Sequence, residues 1–163
     1  MFEKMNYTGT KEEQYGMVIR QLKELSHEVK KQVTILSNAS ALLGSFLQDI
    51  NWVGFYVYEH GQLWLGPFQG LPACTQIPMG KGVCGTAAQQ RKTIVVPNVH
   101  EFPGHIACDA ASKSEIVIPI VVSGELYGVL DIDSPIENRF DTVDQECLEQ
   151  FVKILASFLG DNL

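Results

Sequence analysis

Glu115-Ile-Val-Ile-Pro-Ile-Val-Val122 and Glu125-Leu-Tyr-Gly-Val-Leu-Asp-Ile132, separated by Ser123-Gly124, decide the architecture. Both runs are apolar, rich in β-branched residues and of strand length, and a Ser-Gly pair between such runs signals a hairpin. Ser134-Pro135 breaks the sheet after it. Upstream, residues 98–113 show no period and carry His100, Pro103, Gly104, His105, Cys108 and Asp109. An irregular stretch of that length in a small domain is generally functional or disordered. Before it, Thr93-Ile94-Val95-Val96 reads as a buried strand stopped by Pro97.

Further upstream, Gly80-Lys81-Gly82-Val83-Cys84-Gly85 is glycine-rich and leads into a short helix over 86–90, which places Cys84 near a helix N-terminus. A phosphate loop needs G-x-x-x-x-G-K-[ST], which this stretch does not match; a tight turn is the plain alternative. Ile77-Pro78-Met79 reads as a short strand. Residues 52–58 and 62–68, aromatic and β-branched, form a second hairpin around Glu59-His60-Gly61, and Pro67 suggests an edge or a strand end. Residues 1–9 are a loose lead-in. Thr10-Lys11-Glu12-Glu13 is a capping box, and Tyr15, Val18, Ile19, Leu22 and Leu25 follow at helical spacing. Val33, Leu36, Ala39, Leu43 and Phe46 continue as a second helix, interrupted in propensity by Ser37-Asn38-Ala39-Ser40. At the other end Asp141 or Thr142 caps a last helix whose inner face is Val143, Cys147, Phe151, Ile154, Leu155 and Phe158. The order lacks βαβ alternation. It predicts an α+β domain: a central antiparallel sheet with the N- and C-terminal helices on one face.

The chain has 163 residues and a formal net charge of -7, with a pI near 5.0. One domain of that size buries a sizeable core. The acidic balance argues against nucleic acid or an anionic membrane as partner. No apolar run approaches the roughly 20 residues of a spanning helix. Met1-Phe2-Glu3-Lys4 lacks the apolar region of a signal peptide. A cytoplasmic protein with resting thiols is the expectation. Cys74, Cys84 and Cys108 are spaced by ten and twenty-four residues, with no C-x-x-C, so spacing points to no metal site. No flavin, haem or nicotinamide motif is visible, and no cofactor is expected.

The chain resembles GAF domains and, more narrowly, the free methionine-(R)-sulfoxide reductases, over nearly its whole length. The resemblance rests on Asn51-Trp52-Val53-Gly54-Phe55-Tyr56, Leu65-Gly66-Pro67-Phe68-Gln69-Gly70, Gly80-Lys81-Gly82-Val83-Cys84-Gly85, His105-Ile106-Ala107-Cys108-Asp109, Ser112-Lys113-Ser114-Glu115 and Gly128-Val129-Leu130-Asp131-Ile132-Asp133-Ser134. The resemblance implies a single GAF domain over 1–163 and Cys108 as the attacking thiol. It makes Cys74 and Cys84 the candidate resolving thiols. Glu115, Asp131 and Asp133 fall in the substrate pocket, with Trp52 and Tyr56 as its walls. It further implies the R epimer, thioredoxin as reductant and a homodimer. Cys147 stands outside the pattern and reads as a small core residue.

The residue types suit that chemistry. Sulfoxide reduction needs a nucleophile at sulfur and a proton for oxygen. A thiolate is a strong nucleophile, and a second thiol resolves the sulfenic acid it becomes. Crowded carboxyls resist ionising together, so one of the three acids can hold the proton. The same acids suit the ammonium of a free amino acid, which a methionine inside a protein lacks. Asp131 and Asp133 share one strand face by period-two spacing. His105, three residues from Cys108, either favours the thiolate or orders the loop. Each feature also has a plain reading: the aspartates end a strand, Glu115 starts one in solvent, Trp52 and Tyr56 are core. Two other function classes remain beside the reductase, a small-molecule-binding GAF sensor and a redox-switched module without turnover; consumption of a sulfoxide separates the first from both.

Overall fold

Apolar side chains on both faces of a strand require cover on both faces of its sheet. Ser114–Val122 meets that condition in the computed structural model, which describes residues 1–106 and 108–160. Ala107, within the 105–109 motif, and residues 161–163 of the expected domain lie outside the described residues. Helices α1 (Lys11–Ser26) and α2 (Gln32–Phe46) lead into β1 (Trp52–Glu59), β2 (Gln62–Gln69) and β3 (Gln76–Pro78). Helix α3 (Gly82–Gln90), β4 (Ile94–Val96), β5 (Ser114–Val122), β6 (Glu125–Ser134) and α4 (Thr142–Gly160) follow, with one 3-10 turn at Val99–Glu101. The six strands form one antiparallel sheet in the order β3-β2-β1-β6-β5-β4.

Alternation along the strands sorts side chains between two layers. Val53 and Phe55 of β1, Ile116, Ile118 and Ile120 of β5, and Leu130 and Ile132 of β6 pack under α1, α2 and α4. Trp52, Tyr56, Val117 and Val129 face the other way, under α3 and the segments beside it. The terminal helices share one face, as the α+β reading expects, and α3 covers the second. Both hairpins turn through two residues of positive φ, His60 and Gly61, then Ser123 and Gly124. That geometry matches the right-handed twist of paired strands.

Several boundaries differ from the sequence expectations for identifiable reasons. Helix α3 begins at Gly82, four residues early, so Cys84 sits within its first turn. β4 is a half-buried edge strand rather than a buried one. Pro67 lies beyond Gln62–Trp64, the part of β2 that pairs with β3, so the strand has an open edge there as expected, and on its other side the β1–β2 register shifts between Gly54 and Tyr56; a bulge leaves one residue without a ladder bond, and so tolerates proline. In α2, Val33 is exposed and Ile35 and Leu42 join the buried face. Ser37 and Ser40 do not interrupt that helix; their hydroxyls donate back to the carbonyls of Val33 and Ser37. In α4 the buried stripe is Asp144, Leu148, Phe151, Val152, Leu155 and Leu159, about one position on from the expected one. Thr10 caps α1, its hydroxyl oxygen accepting from Glu13 N at 3.1 Å. Among the described residues no helix is long and apolar enough to cross a membrane.

Candidate active site

The pairing of β1 with β6 brings the two hairpins together, and with them the acids and aromatics that sequence spacing keeps about 75 residues apart. Trp52 pairs with Asp133, Gly54 with Asp131 and Tyr56 with Val129; on the other side of β6, Glu115 pairs with Asp133. Trp52, Tyr56, Glu115, Asp131 and Asp133 therefore share the sheet face opposite the terminal helices. Helix α3 sets Cys84 over this face. Two loops close the rim, one carrying Cys74 and the other His105, Cys108, Asp109 and Ser112. Seven of the eight expected site residues, Trp52, Tyr56, Cys84, Cys108, Glu115, Asp131 and Asp133, line one cavity; Cys74 is not in its lining and is joined to it through its bond to Cys108.

The three thiols differ in depth. Cys108 is exposed and Cys74 half-buried, and the two form a disulfide across 34 residues with Cα atoms 5.9 Å apart. Cys84 is a free thiol, buried below them. Burial, with Asp131, Glu115 and Asp133 beside it, pushes the Cys84 thiol well up, so it rests protonated. Cys147 is also free but sits on α4, half-buried at the flank of the opposite core.

Glu115 and Asp131 are 5% and 6% exposed, so neither is a solvated strand end. Asp131 hydrogen-bonds to Glu115 and to Cys84, and Glu115 also to Asp133. Two carboxyls that hydrogen-bond must share a proton. Burial first, and then each other's charge, holds all three carboxyls well above the ordinary carboxylate range. Asp131 Oδ1 has no partner among the described residues. His105 Nε2 lies 3.7 Å from Glu115 Oε1. Burial lowers the pKa of His105 against the pull of Asp131, leaving the ring neutral near pH 7. Cys84 Sγ and one oxygen each of Glu115 and Asp131 lie within 4.8 Å of one another. Such a donor set could hold a thiophilic divalent ion, and the shared protons satisfy the same atoms.

Stability must follow those protons. Unfolded, these carboxyls ionise near pH ~4; folded, they keep their protons to higher pH. Within that window the folded state binds more protons, so stability falls as pH rises, and the penalty is complete above the folded values. Asp131→Asn, neutral and isosteric, should therefore melt higher than the parent near pH ~8, by about 1–3 kcal/mol in stability. The gain should vanish near pH ~4, as read by thermal melts across pH. Parallel pH profiles for the two proteins would mean that these carboxyls carry no such penalty.

The fold adds residues that periodicity did not single out. Asn51 Nδ2 donates to Asp109 Oδ2 at 3.0 Å and to Ser112 Oγ at 3.1 Å, pinning the loop that follows Cys108. Lys81, Gly82 and Val83 at the start of α3 line the same cavity, and that helix end has no side-chain cap. Free backbone N–H groups there favour an anionic group. The signals were the glycine-rich run and an asparagine just before a strand, both too common to read alone.

A GAF domain family model matches residues 22–159. The free methionine-R-sulfoxide reductase of Escherichia coli is 54% identical over 125 residues, 77% of this chain and 76% of that protein. The reductase of the same name from Saccharomyces cerevisiae is 47% identical over 93% of this chain and 89% of its own. The crystal structure of free methionine-R-sulfoxide reductase from Neisseria meningitidis in complex with its substrate superposes with a TM-score of 0.92. It has 37% identity and covers 99% of this chain and 98% of that one. On fold, cavity and sequence together, the chain belongs to the GAF domain family and, within it, to the free methionine-R-sulfoxide reductases.

Proposed function

We propose that this protein reduces free L-methionine (R)-sulfoxide to L-methionine, with Cys108 as the attacking thiol. The observation that carries the reading is an exposed Cys108, bonded to Cys74, at the mouth of a cavity lined by three carboxyls, Glu115 and Asp131 buried and Asp133 half-buried. A free amino acid is a zwitterion, and both of its charges find complements there. Its ammonium suits Glu115, Asp131 and Asp133, one of which ionises as the cation arrives. Its carboxylate suits the uncapped N-terminus of α3. The sulfur and methyl group then lie against Trp52 and Tyr56.

The reaction balances within the cavity. Cys108 thiolate attacks the sulfoxide sulfur, and a protonated carboxyl gives its proton to the oxygen. Oxygen passes to Cys108 as a sulfenic acid, and methionine leaves, reduced by two electrons. A second thiol displaces that oxygen as water and closes a disulfide. Cys74 takes that role first, on the pairing with Cys108, and Cys84 stands in reserve below. An external dithiol restores the thiols by exchange at the exposed sulfur of Cys108. Thioredoxin is the donor this reading names. A cytoplasmic setting and a homodimer complete it; light scattering should give a mass near twice 18.1 kDa.

Racemic free methionine sulfoxide, supplied with thioredoxin, its reductase and NADPH, should be consumed to about half and then stop, because one epimer fits a site whose contacts to the ammonium, the carboxylate and the sulfoxide are fixed in place. A chiral standard should show the S epimer remaining, and methionine sulfoxide inside a peptide should not react. Absence of consumption, with dithiothreitol failing as donor too, would return the protein to the ligand-sensing class.

A further inference from the structure

Trp52 and Tyr56 read as apolar walls, yet the polar end of each is already engaged. Trp52 Nε1 donates to Leu71 O at 3.1 Å, and Tyr56 Oη donates to Cys74 O at 3.0 Å. Both acceptors belong to the loop between β2 and β3, which carries Cys74. That loop has little core of its own: Leu71 and Pro72 are exposed, and Cys74 is half-buried. Its donors, by contrast, are immobile. Tyr56 is 2% exposed. Trp52 is stacked between Tyr56 and Phe68, with ring centroids 5.9 and 5.2 Å away. Gly70, at φ +141°, presses the loop onto the Trp52 ring; a Cβ there would lie 2.5 Å from Trp52 Cδ1 and 2.9 Å from Asn51 O.

We propose that Tyr56, together with Trp52, is a positioning residue for the resolving step: the two side chains clamp the 70–75 loop so that the Cys74 thiol is presented to Cys108. This role rests on the reductase reading above and adds to it. A disulfide forms only within a narrow range of Cα separations. Cys74 must meet that condition against a second loop 34 residues away. A hydrogen bond to the carbonyl of Cys74 itself holds that Cα in range and raises the effective concentration of one thiol at the other. In the step served, the Cys74 Sγ–Cys108 Sγ bond forms as the Cys108 S–O bond breaks. Cys74 gives up its proton, hydroxide leaves as water, and Cys74 is oxidised as the Cys108 sulfur returns from the sulfenic to the disulfide level. Burial keeps the Tyr56 phenol protonated, so its donor persists at any working pH.

The decisive measurement needs no substrate. The full chain is equilibrated with graded mixtures of reduced and oxidised dithiothreitol, and the Cys74–Cys108 bond is followed by thiol labelling and peptide mass. Tyr56→Phe keeps the ring and loses the donor, and should make the disulfide about tenfold easier to reduce, a shift of about 30 mV. Trp52→Phe, which removes the other donor, should move the equilibrium in the same direction. In a single turnover on free methionine (R)-sulfoxide, dimedone should trap a Cys108 sulfenic acid in Tyr56→Phe that wild type converts before trapping. Part of its disulfide should divert to Cys84. An unchanged redox equilibrium in both variants, with no excess dimedone adduct, would overturn the clamp. If wild type releases no methionine, the reductase reading falls, and the dithiothreitol equilibrium still decides whether these side chains hold Cys74.

Discussion

Cys108→Ser abolishes methionine release, with a loss in kcat/KM on the order of 10³-fold or more, and leaves the fold intact. A serine hydroxyl fills the same space but is a poor nucleophile toward sulfur at neutral pH, whereas a thiolate is formed and polarisable. Cys108 is exposed on an irregular loop, and its tie to the rest of the chain is the bond to Cys74. In the reduced protein the substitution should therefore shift stability by no more than about 0.5 kcal/mol. Methionine release and a thermal melt, both in dithiothreitol, measure the two halves of this expectation. Cys147→Ser is the internal control: its sulfur lies on α4 under the opposite face of the sheet, and turnover should persist. Activity retained in Cys108→Ser would assign the attack to another thiol, with Cys84 next in place.

Asp144→Ala should cost about 3–5 kcal/mol of stability. In a chain of this size that is a fall in Tm of about 10 °C. Asp144 is fully buried at the first turn of α4. Its Oδ1 accepts from Tyr15 Oη at 2.6 Å. Its Oδ2 accepts from Lys11 Nζ at 2.8 Å, from Arg139 Nη1 at 3.2 Å and from the backbone N–H of Asp141 at 3.0 Å. One carboxylate thus joins α1, α4 and the segment after β6. Removing it strands a buried phenol and leaves a half-buried guanidinium without its anion; Lys11 retains Asp141 at 3.0 Å. Urea unfolding at neutral pH reads the loss. A cost under about 1 kcal/mol would place the cluster with ordinary surface ion pairs. Below its melt the variant should still reduce substrate, because Asp144 lies across the sheet from the cavity.

The same aspartate explains a sequence expectation that the structure corrected. Counted as polar, Asp144 belongs on the outer face of a helix, so the sequence pattern puts Val143 and Cys147 in the apolar stripe of α4. Two of its four partners, Tyr15 and Lys11, are 129 and 133 residues away in the chain. A charge is buried only when such partners meet it, and no local pattern announces them. The early start of α3 has a different origin. Glycines lower helix propensity, yet Gly82 and Gly85 sit in the first turn, and a Cβ on Gly85 would lie 3.2 Å from Gly80 N. Close packing against the preceding turn selected glycine there.

The chain by itself determined what depends on neighbours in sequence. The hairpin turns at His60-Gly61 and Ser123-Gly124, the Thr10 cap and the alternation of β5 and β6 are local physics, and they define an α+β domain. The family resemblance named Cys74, Cys84, Cys108 and the pocket acids and aromatics. Period-two spacing put Asp131 and Asp133 on one face without saying which face. That was decided by the β1–β6 pairing, which set Gly54 and Trp52 opposite them, and by α3 closing above. Likewise only the tertiary structure chose Cys74 over Cys84 as the bonded partner of Cys108, and set the phenol of Tyr56 on the Cys74 carbonyl. Disulfide reach and hydrogen bonding are short-ranged, and they act between segments that only the assembled sheet brings together.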